Sequence, residues 1–385
     1  MTTATVDTIV RERYSAAAQA PEAALCCPVE YDTRYLEAIP EEIIAKDYGC
    51  GDPSTHVRSG DAVLDLGSGG GKSCYIAAQV AGPEGRVIGV DMNDDMLALA
   101  RTHRLAVAAK LGYDNVSFHK GKIQDLKLDR DKLDQWLGEN PVADEAGLRR
   151  LEEETARLRR DEPMIADESI DVVTSNCVLN LVGDDEKAEL FGEVYRVLRR
   201  GGRAAISDIV ADEPVPQHLK ADPTLWSGCV SGAMQEEEFL QAFEAAGFYG
   251  VRLAKRDEKP WTTVEGIEFR SVTVVAYKGK EGACWDHNEA LIYKGPFKSV
   301  TDDDGHTFLR GQRAAVCRKT AEIFSREPYA EYFEAVEPLA PVSEPTPFRC
   351  NGATLVKHPR ETKGQEYDAN IAVEGDCCDP TEGCC

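Results

Sequence analysis

The chain between Gly60 and Ile209 alternates short β-branched runs with segments of helical periodicity. The runs read AVLDLG, RVIGVD, VSFHKG, IDVVTSN and RAAISDIV. In the segments between them, apolar residues recur every three or four positions, as in the helices predicted after Asn93 and over residues 185–198. Strands that alternate with helices are typical of βαβ units, which build a parallel sheet. The pattern therefore predicts an α/β domain, whose bounds we set at residues 60–250.

Four further regions flank or interrupt this domain. Residues 1–59 form an N-terminal segment that carries cysteines. Residues 127–168 are strongly charged around a thin apolar stripe of leucines, which predicts a helical insertion on the surface. Strand-like runs in SVTVVAYKGK and ALIYKGPFKSV predict a small α+β domain over residues 251–337. Prolines and a polar, Cys-rich end then predict a stiff linker and a disordered tail over residues 338–385.

Charge and composition exclude several classes of function. The 385 residues include 44 Lys and Arg against 68 Asp and Glu, which gives a formal net charge of −24. That charge repels phosphate backbones and anionic lipid headgroups, so we expect neither nucleic acid nor a membrane as a partner. No apolar run reaches the ~18 residues of a membrane span, and we find no signal peptide, which predicts a cytoplasmic protein. In a reducing compartment the 13 cysteines are thiols, suited to metal binding or catalysis.

A glycine-rich loop follows the first predicted strand and precedes a helix. It reads DLGSGGG over residues 65–71. Glycines let a backbone approach a ligand closely, and the N–H groups of the following helix then point toward that ligand. A P-loop is excluded because its first glycine would fall on Leu66, and the dinucleotide fingerprint is weakened because its last glycine would fall on Lys72. The remaining pattern, D-x-G-x-G-x-G, resembles the first motif of the class I S-adenosylmethionine-dependent methyltransferases.

The resemblance to these methyltransferases implies a Rossmann-like fold and a set of cofactor-binding residues. Asp91 ends the next predicted strand, 20 residues after Gly71, where its carboxylate would accept both ribose hydroxyls of S-adenosylmethionine. Asp65 would orient the loop, and Met92 would lie beside the adenine. The other residues implied are Gly67, Ser68 and Gly69 in the loop, and Lys122 and Ile123 after the third strand.

Cysteines occupy the region where the second substrate of such a fold would lie. The fourth predicted strand ends in Asn176 and Cys177, so a thiol is found at the acceptor position. No side chain there is an obvious general base. Further cysteines lie in short loop-like contexts with Gly, Pro or Trp neighbours, namely Cys26, Cys27, Cys50 and Cys229. Cys74 is interpreted as helix packing, and no role is assigned to Cys284, Cys317 and Cys350.

Five segments together resemble the arsenite methyltransferases. They are YGCG, DLGSGGG, SNCVLNLV, YRVLRRGG and LWSGC, spread over roughly residues 48–233. The resemblance implies transfer of methyl groups from S-adenosylmethionine to trivalent arsenic, with Cys50, Cys177 and Cys229 as catalytic residues and arsenic ligands. Cys27, or its neighbour Cys26, would be a further catalytic cysteine.

The same resemblance implies further contacts and partners. Tyr48 and Asn176 would contact the cofactor. The substrates would be arsenite and methylated arsenicals, and a thiol reductant of the glutathione or thioredoxin type would restore the site. The charged insertion over residues 127–168 is longer than the corresponding family loop, so its effect on substrate access stays open.

The chemistry of arsenic fits a site that lacks a general base. Trivalent arsenic is soft and thiophilic, and three sulfur ligands form a pyramid with the arsenic lone pair at its apex. That lone pair can act as the nucleophile. Methyl transfer then becomes an in-line displacement governed by positioning, and no proton has to be removed from the acceptor.

Two other functions remain open at this point. One is a methyltransferase for an organic acceptor, with structural cysteines. The other is a non-enzymatic protein that sequesters metalloids through its thiols, including the terminal pairs Cys377–Cys378 and Cys384–Cys385. Only an enzyme converts S-adenosylmethionine to S-adenosylhomocysteine, and the intact glycine loop together with Asp91 favours an enzyme.

Overall fold

The structure is a computed structural model that describes residues 3–22, 25, 29–350 and 355–369. The chain divides into two compact units, Met1–Gly279 and Lys280–Cys385. The boundary predicted between residues 250 and 251 is therefore corrected to Gly279. The reason is that the strands that follow Gly247 complete the sheet of the first unit instead of starting a new domain.

Helices and strands alternate through the first unit. Its helices are α1 (Thr3–Gln19), α2 (Thr33–Leu36), α3 (Glu41–Ala45), α4 (Lys72–Ala81), α5 (Asp94–Leu111), α6 (Arg130–Glu139), α7 (Glu145–Asp161), α8 (Lys187–Val197), α9 (Gln217–Lys220), α10 (Pro223–Ser227) and α11 (Glu236–Ala245). Its strands are β1 (Ala62–Leu66), β2 (Arg86–Asp91), β3 (Val116–Lys120), β4 (Ile170–Asn176), β5 (Leu198–Ala211), β6 (Tyr249–Arg256), β7 (Thr262–Val264) and β8 (Ile267–Tyr277). Short 3₁₀ turns lie at Pro53–His56 and Leu179–Leu181.

One sheet spans the first unit, in the strand order β3-β2-β1-β4-β5-β8-β6, with β7 paired to β8. Strands β1 to β5 pair in parallel, whereas β8 runs antiparallel to β5, β6 and β7. The five parallel strands are those whose alternation with helices predicted βαβ units. The predicted Rossmann-like α/β architecture is thus confirmed, and the antiparallel strands extend one side of it.

The helix predicted after Asn93 begins and ends where its sequence requires. The Asn93 side chain accepts hydrogen bonds from the backbone N–H groups of Asp95 and Met96, which caps α5. At the other end, Gly112 has the left-handed conformation that favours glycine. No helix in the described part of the chain is long and apolar enough to cross a membrane.

An aromatic layer packs α8 and α11 against the sheet. The rings of Phe191, Phe239 and Phe243 meet edge to face, with centroids 4.9 to 6.3 Å apart. They belong to one buried cluster with residues of β4 and β5 such as Val173 and Ile206. Because interiors of this kind are close-packed, the layer fixes the strands whose ends carry the site described below.

The charged stretch 127–168 folds largely as α6 and α7, between β3 and β4. Arg157 forms ion pairs with Glu154 and Glu162, while Leu158 is buried. Leu148, which belongs to the same predicted stripe, is 47% exposed. None of the residues in this stretch lines the cleft at the ends of β1, β2 and β4.

The second unit is built from short strands around aromatic side chains. Its elements are β9 (Trp285–Asp286), β10 (Glu289–Tyr293), β11 (Ser299–Thr301), β12 (Thr307–Leu309), β13 (Arg313–Val316), α12 (Arg318–Phe324), β14 (Phe333–Val336) and β15 (Thr346–Pro347). Three of the strands form a sheet in the order β13-β10-β14, and the pairs β11–β12 and β9–β15 stand apart from it. The rings of Phe308, Phe324 and Phe333 lie 4.7 to 5.3 Å from one another by centroid distance.

The linker and tail predicted over residues 338–385 need correction over the described residues 338–350 and 355–369. Thr346 and Pro347 pair with Asp286 and Trp285, and the Thr362 side chain is fully buried. Proline is tolerated at such a position because an edge strand leaves some of its N–H groups unpaired. The terminal cysteines Cys377, Cys378, Cys384 and Cys385 lie outside the described residues.

Candidate functional site

A cleft opens at the carboxyl ends of the parallel strands β1, β2 and β4. It holds about 990 Å³ of space, part of which is open to solvent. All ten residues predicted to bind the cofactor line it: Tyr48, Asp65, Gly67, Ser68, Gly69, Asp91, Met92, Lys122, Ile123 and Asn176. In open α/β sheets, ligands bind at this end of the strands. The cleft therefore has the position expected for a cofactor.

The glycine loop between β1 and α4 depends on glycine for its shape. Gly67, Gly69 and Gly71 have φ values of 67°, 50° and 90°, in the left-handed region. A Cβ atom on Gly67 would come within 2.4 Å of Val178, whereas one on Gly69 would enter open space. The open side of Gly69 is where a ligand can approach the backbone. Lys72 does not reach this space, since its ammonium forms an ion pair with Asp47 at 2.8 Å.

Asp91 joins the loop to the end of β2. One carboxylate oxygen accepts a hydrogen bond from the Gly69 N–H, and the other accepts one from the Asn93 N–H, both at 2.8 Å. Burial raises the pKa of Asp91, and these backbone donors partly offset the effect. The same carboxylate thus shapes the loop and faces the cleft.

Asp65 lies beneath the loop, at the end of β1. Its carboxylate accepts hydrogen bonds from the Thr174 hydroxyl at 2.8 Å and from the Cys74 thiol at 3.3 Å. Burial raises the pKa of Asp65 to about 6. Cys74 is fully buried on α4, which agrees with a packing role for this cysteine.

Helix α1 covers part of the cleft, and the sequence analysis did not predict it. Four of its residues line the cleft: Asp7, Val10, Arg11 and Tyr14. Asp7 forms an ion pair with Lys122, and Asn93 donates a hydrogen bond to the Arg11 carbonyl at 3.0 Å. The signal was present, because Val6, Val10, Tyr14 and Ala17 recur at helical spacing.

Tyr48 contacts the cleft through its ring. Its hydroxyl donates a hydrogen bond to the Ala17 carbonyl at 3.0 Å and accepts one from the Glu22 N–H at 3.2 Å. The ring meets that of Tyr14 edge to face, with centroids 6.0 Å apart. Tyr48 therefore holds the end of α1 while one side of its ring lines the cleft.

Three of the predicted catalytic cysteines come together beside this cleft. Cys50, Cys177 and Cys229 belong to one buried cluster, and each is at most 5% exposed. The Cys50 and Cys177 sulfurs and a carboxylate oxygen of Asp208 lie within 4.8 Å of one another. The Cys229 thiol donates a hydrogen bond to the Cys177 carbonyl at 3.1 Å. Cys177 also lines the cleft itself, so the thiols adjoin the space that the glycine loop borders.

Two of these cysteines have an unusual backbone conformation. The φ values of Cys177 and Cys229 are 63° and 60°, in the left-handed region. A residue with a Cβ atom is disfavoured there by about 1 kcal/mol or more, and such residues concentrate at functional sites. The conformation turns the chain sharply directly after β4 and again after α10. These turns bring both cysteines into the same cluster.

Cys50 lies between two glycines. Any larger residue at either position would displace a neighbouring side chain or shift the segment itself. The Cys50 N–H donates a hydrogen bond to the Asn176 side-chain oxygen at 2.8 Å. A Cβ atom on Gly49 would lie 2.2 Å from the Asn176 amide, and one on Gly51 would lie 2.5 Å from the Ser207 hydroxyl oxygen. Asn176 thus binds the YGCG segment and positions Cys50. Its contact with the cofactor stays a prediction.

Asp208 is a further residue of this site, and no role was assigned to it from the sequence. It directly follows Ser207 in β5, and its side chain is fully buried. The carboxylate accepts hydrogen bonds from the N–H groups of Leu179 and Ile209, both at 2.8 Å. Burial raises the pKa of Asp208 to about 6. An SD dipeptide follows YRVLRRGG in the sequence, but its meeting with Cys50 and Cys177 depends on the sheet.

The predicted role of Cys27, or of Cys26, concerns residues outside the described part of the chain. Leu25, just before them, is buried with Ala17, Tyr48 and Met96. Leu25 therefore packs on the same side of the first unit as α1.

The parallel sheet, the glycine loop and the carboxylate at the end of β2 define a class I S-adenosylmethionine-dependent methyltransferase. A methyltransferase domain model matches residues 57–160 and 139–247. An arsenite methyltransferase from Aquipseudomonas alcaligenes is 31% identical over 315 residues, which cover 78% of this chain and 80% of that protein. The chain belongs to the arsenite methyltransferase family.

Two further comparisons agree with this assignment. The arsenite methyltransferase of Mus musculus is 30% identical over 79% of this chain and 74% of its own length. The crystal structure of an arsenic(III) S-adenosylmethionine methyltransferase from Chlamydomonas reinhardtii aligns with a TM-score of 0.56 and 27% identity, over 88% of this chain and 100% of that one. Residues 280–367 match a family described as a domain of unknown function (DUF8838).

Proposed function

We propose that this chain transfers methyl groups from S-adenosylmethionine to trivalent arsenic bound by Cys50, Cys177 and Cys229. One observation carries the proposal: a buried cluster of thiols adjoins the cleft of a methyltransferase fold, and Cys177 belongs to both. Conversion of arsenite to methylated arsenicals is a detoxification reaction, and we assign it to the cytoplasm, where thiols stay reduced.

Arsenite binding needs three thiols, whose sulfur atoms replace the three hydroxyl groups of arsenite. Three arsenic–sulfur bonds form while three arsenic–oxygen bonds break, and each thiol proton leaves with a hydroxide as water. The apolar side chains around the cluster, such as Ile209 and Phe269, exclude the solvent that would compete for arsenic. Three thiolates then leave the lone pair of the metalloid at the open apex of the pyramid.

The cleft suits S-adenosylmethionine for two reasons. It has a carboxylate that can bind ribose hydroxyls, and its loop is rich in glycine, so a ligand can approach the backbone closely. Asp91 would bind the ribose, and the backbone at Gly67, Ser68 and Gly69 would border the amino acid part. Met92 and Ile123 would enclose the adenine. When bound, the cofactor supplies an electrophilic methyl group on a sulfonium centre.

The protein's contribution to methyl transfer is positioning. Asn176 and Ser207 fix the YGCG segment. Cys177 and Cys229 lie at left-handed turns, and the Cys229 thiol donates a hydrogen bond to the Cys177 carbonyl. Arsenic bound by three thiolates would keep its lone pair in one direction, and orientation of this kind lowers the barrier of an in-line displacement. The lone pair forms the new carbon–arsenic bond, so the transfer needs no general base.

The oxidation state of arsenic requires a reductant in this scheme. Because the lone pair is used in bond formation, arsenic leaves the transfer formally pentavalent, and two electrons restore the trivalent state. Two cysteine thiolates can supply these electrons by forming a disulfide, and Cys27 or Cys26 is our candidate for exchange with it. An external thiol of the glutathione or thioredoxin type would then reduce the protein.

The test is arsenic speciation by chromatography after incubation with arsenite, S-adenosylmethionine and excess small thiol. We expect methylated arsenicals and S-adenosylhomocysteine from the native chain. The variant Cys177→Ser should make neither, because a hydroxyl is a hard ligand that does not replace thiolate on arsenic. Its cofactor affinity should persist, and that measurement separates loss of the arsenic site from misfolding.

Three results would contradict the proposal. Arsenite binding without S-adenosylhomocysteine would indicate a sequestering protein. S-adenosylhomocysteine formed only with an organic acceptor would indicate a different methyltransferase. Near-native turnover of arsenite by Cys177→Ser would mean that the acceptor site lies elsewhere.

A further inference from the structure

A second group of three thiols lies in the unit of unknown function. The sulfur atoms of Cys284, Cys317 and Cys350 are within 4.8 Å of one another. None of the three is in a disulfide, and none belongs to the buried cluster that contains Cys50, Cys177 and Cys229. Each of these cysteines lies 33 positions from the next, so folding of the unit must bring them together.

The strands of the second unit hold two of these cysteines side by side. Cys284 directly precedes β9, and Cys350 lies three residues after β15. The two strands pair antiparallel, and the Phe348 N–H donates a hydrogen bond to the Cys284 carbonyl at 2.8 Å. The strand pair therefore sets the spacing between the two thiols.

The third thiol is fixed from the other side. Cys317 precedes α12 and is fully buried. Its sulfur lies 3.2 Å from the Thr320 hydroxyl and accepts a hydrogen bond from the Thr320 N–H at 3.4 Å. Cys284 and Cys350 are only half-buried, so the group has a closed floor and an open side through which a small ligand can enter.

The surroundings shift the pKa values of two of these thiols in opposite directions. Burial disfavours charge on Cys284, but hydrogen bonds with Cys350 and Cys317 and the charge of Lys319 outweigh it and lower the pKa of Cys284. Burial, together with Cys284, raises the pKa of Cys350. These contacts link the three sulfur atoms, which lie within 4.8 Å of one another, into one group.

We propose that Cys284, Cys317 and Cys350 form a second binding site for trivalent arsenic, separate from the site of methyl transfer. Arsenic(III) bound to sulfur takes three ligands in a pyramid, and three thiols are present. Structural zinc sites take four ligands, and among the described residues no His, Asp or Glu ligand atom joins this group within 4.8 Å. His306, in the same unit, does not supply a fourth ligand, because its ring is paired with Asp302, with Nδ1 2.9 Å from the carboxylate.

Binding at this site is balanced without a redox step. Three arsenic–sulfur bonds form, three arsenic–oxygen bonds break, and three water molecules leave with the thiol protons. The choice of arsenic over another soft, three-coordinate ligand rests on the proposed function, because arsenite is then the substrate that the protein meets. The binding itself does not require methyl transfer.

The test compares arsenic bound per chain and turnover in the full-length protein and in the double variant Cys284→Ser/Cys350→Ser. Both positions are half-exposed, so serine fits there without a cavity. After incubation with arsenite and excess small thiol, followed by desalting, we expect the variant to bind one arsenic atom fewer per chain. Its turnover at saturating arsenite and its melting temperature should match those of the native protein.

Two control variants make the outcome specific. Cys177→Ser should lose methyl transfer yet keep the arsenic that the double variant loses, so failure of the proposed function and failure of this site give different results. His306→Gln should leave arsenic binding unchanged. X-ray absorption on arsenic-loaded Cys177→Ser should include a centre with three sulfur neighbours.

Three outcomes would overturn the inference. One is equal arsenic content in the native chain and the double variant. Another is zinc in the purified native protein that both the double variant and His306→Gln lose, which would indicate a Cys₃His zinc site. The third is a disulfide between Cys284 and Cys350 that persists in excess thiol.

Discussion

At the residue scale, the cysteines of the transferase site differ from an ordinary buried cysteine in backbone and neighbours. Cys74 packs on a regular helix and donates a hydrogen bond to Asp65, whereas Cys177 and Cys229 lie at left-handed turns. A merely apolar role would not require such turns, because a buried cysteine is satisfied in any regular element. The strain at these two positions is therefore an argument for function that is independent of the family resemblance.

Asp91→Ala should weaken binding of S-adenosylmethionine by about 1.5–3 kcal/mol, the usual contribution of hydrogen bonds to a charged group. The carboxylate also accepts the Gly69 N–H at 2.8 Å, so the loop loses a support as well. Calorimetric titration with the cofactor measures the effect. Arsenite binding should change little. Asp95→Ala, at an exposed position in the first turn of α5, serves as the control. Unchanged cofactor affinity would exclude Asp91 from the site.

Asp65 makes the stability of the first unit depend on pH. Its pKa is raised by burial from 3.8 to about 6, so between these values the folded chain binds more protons than the unfolded chain. The free energy of unfolding therefore falls as the pH rises through this window, and this carboxyl accounts for roughly 1 kcal/mol between pH 5 and pH 7.

In Asp65→Asn this contribution disappears, because an amide does not titrate in this range. Denaturant unfolding at pH 5 and pH 7 should thus show a smaller loss of stability in the variant than in the native chain. Asp95→Asn, at an exposed position, controls for the change in net charge. Equal pH dependence in Asp65→Asn and the native chain would disprove the assignment.

At the scale of elements, the sequence was sufficient wherever local periodicity and end signals agree. Strands β1 to β5 and helix α5 were predicted because β-branched runs, the Asn93 cap and Gly112 all mark the same boundaries. Helix α1 was missed although its apolar spacing is regular, because four of its eight apolar residues are alanine, which makes only a weak apolar stripe. Its contacts with the cleft are tertiary and leave no local mark.

Strand β8 was recognised as strand-like but assigned to the wrong domain. An apolar run such as SVTVVAY predicts a strand without stating its partner, and β8 pairs with β5, which lies far from it in the sequence. The prolines near residue 345 led to the prediction of a linker, but Pro347 lies in an edge strand. In both cases the missing information was long-range pairing.

The YGCG segment offers a prediction at this scale. Gly51→Ala would place a Cβ atom 2.5 Å from the Ser207 hydroxyl oxygen, so the segment must shift and carry Cys50 with it. We expect about 1–3 kcal/mol of destabilisation and a larger fractional loss of arsenite turnover. Thermal unfolding and the speciation assay measure the two effects.

The matched control for that variant is Gly192→Ala on α8. Nothing lies within 4 Å of a Cβ atom at this position, and alanine favours a helix over glycine by about 1 kcal/mol. This variant should be slightly more stable and fully active. A fully active Gly51→Ala protein would show that the position of Cys50 tolerates displacement and would weaken its assignment as an arsenic ligand.

At the scale of the whole molecule, the three transferase cysteines come from segments that are far apart in sequence. Cys50 precedes the first strand, Cys177 follows the fourth, and Cys229 follows α10. No spacing rule joins positions separated by 127 and 52 residues, so only the family resemblance connected them before the fold was known. For Cys284, Cys317 and Cys350 no such resemblance existed, and the structure alone brings them together.

The contacts of the described residues 348–350 and 355–369 within the second unit decide where the chain can be shortened without loss of stability. Truncation after Pro347 would remove Cys350 and the buried Thr362, whose hydroxyl accepts a hydrogen bond from Arg313 at 3.0 Å. Truncation after Ala369 keeps every described residue and removes Cys377, Cys378, Cys384 and Cys385. The shorter protein should therefore unfold at a lower temperature, and the longer one should keep the melting temperature of the full chain.

The same pair of truncations separates capture of arsenic from its methylation. We expect the adjacent thiols at residues 377–385 to bind trivalent arsenic, but catalysis needs a fixed direction toward the methyl group, which we assign to Cys50, Cys177 and Cys229. Removing residues 370–385 should thus lower the arsenic bound per chain while turnover at saturating arsenite stays unchanged. A rate assay paired with arsenic-to-protein stoichiometry tests this expectation. If that truncated protein still binds arsenite at the transferase site yet forms no methylated product, the terminal cysteines take part in catalysis, and the reductive half of the proposed cycle must pass through them.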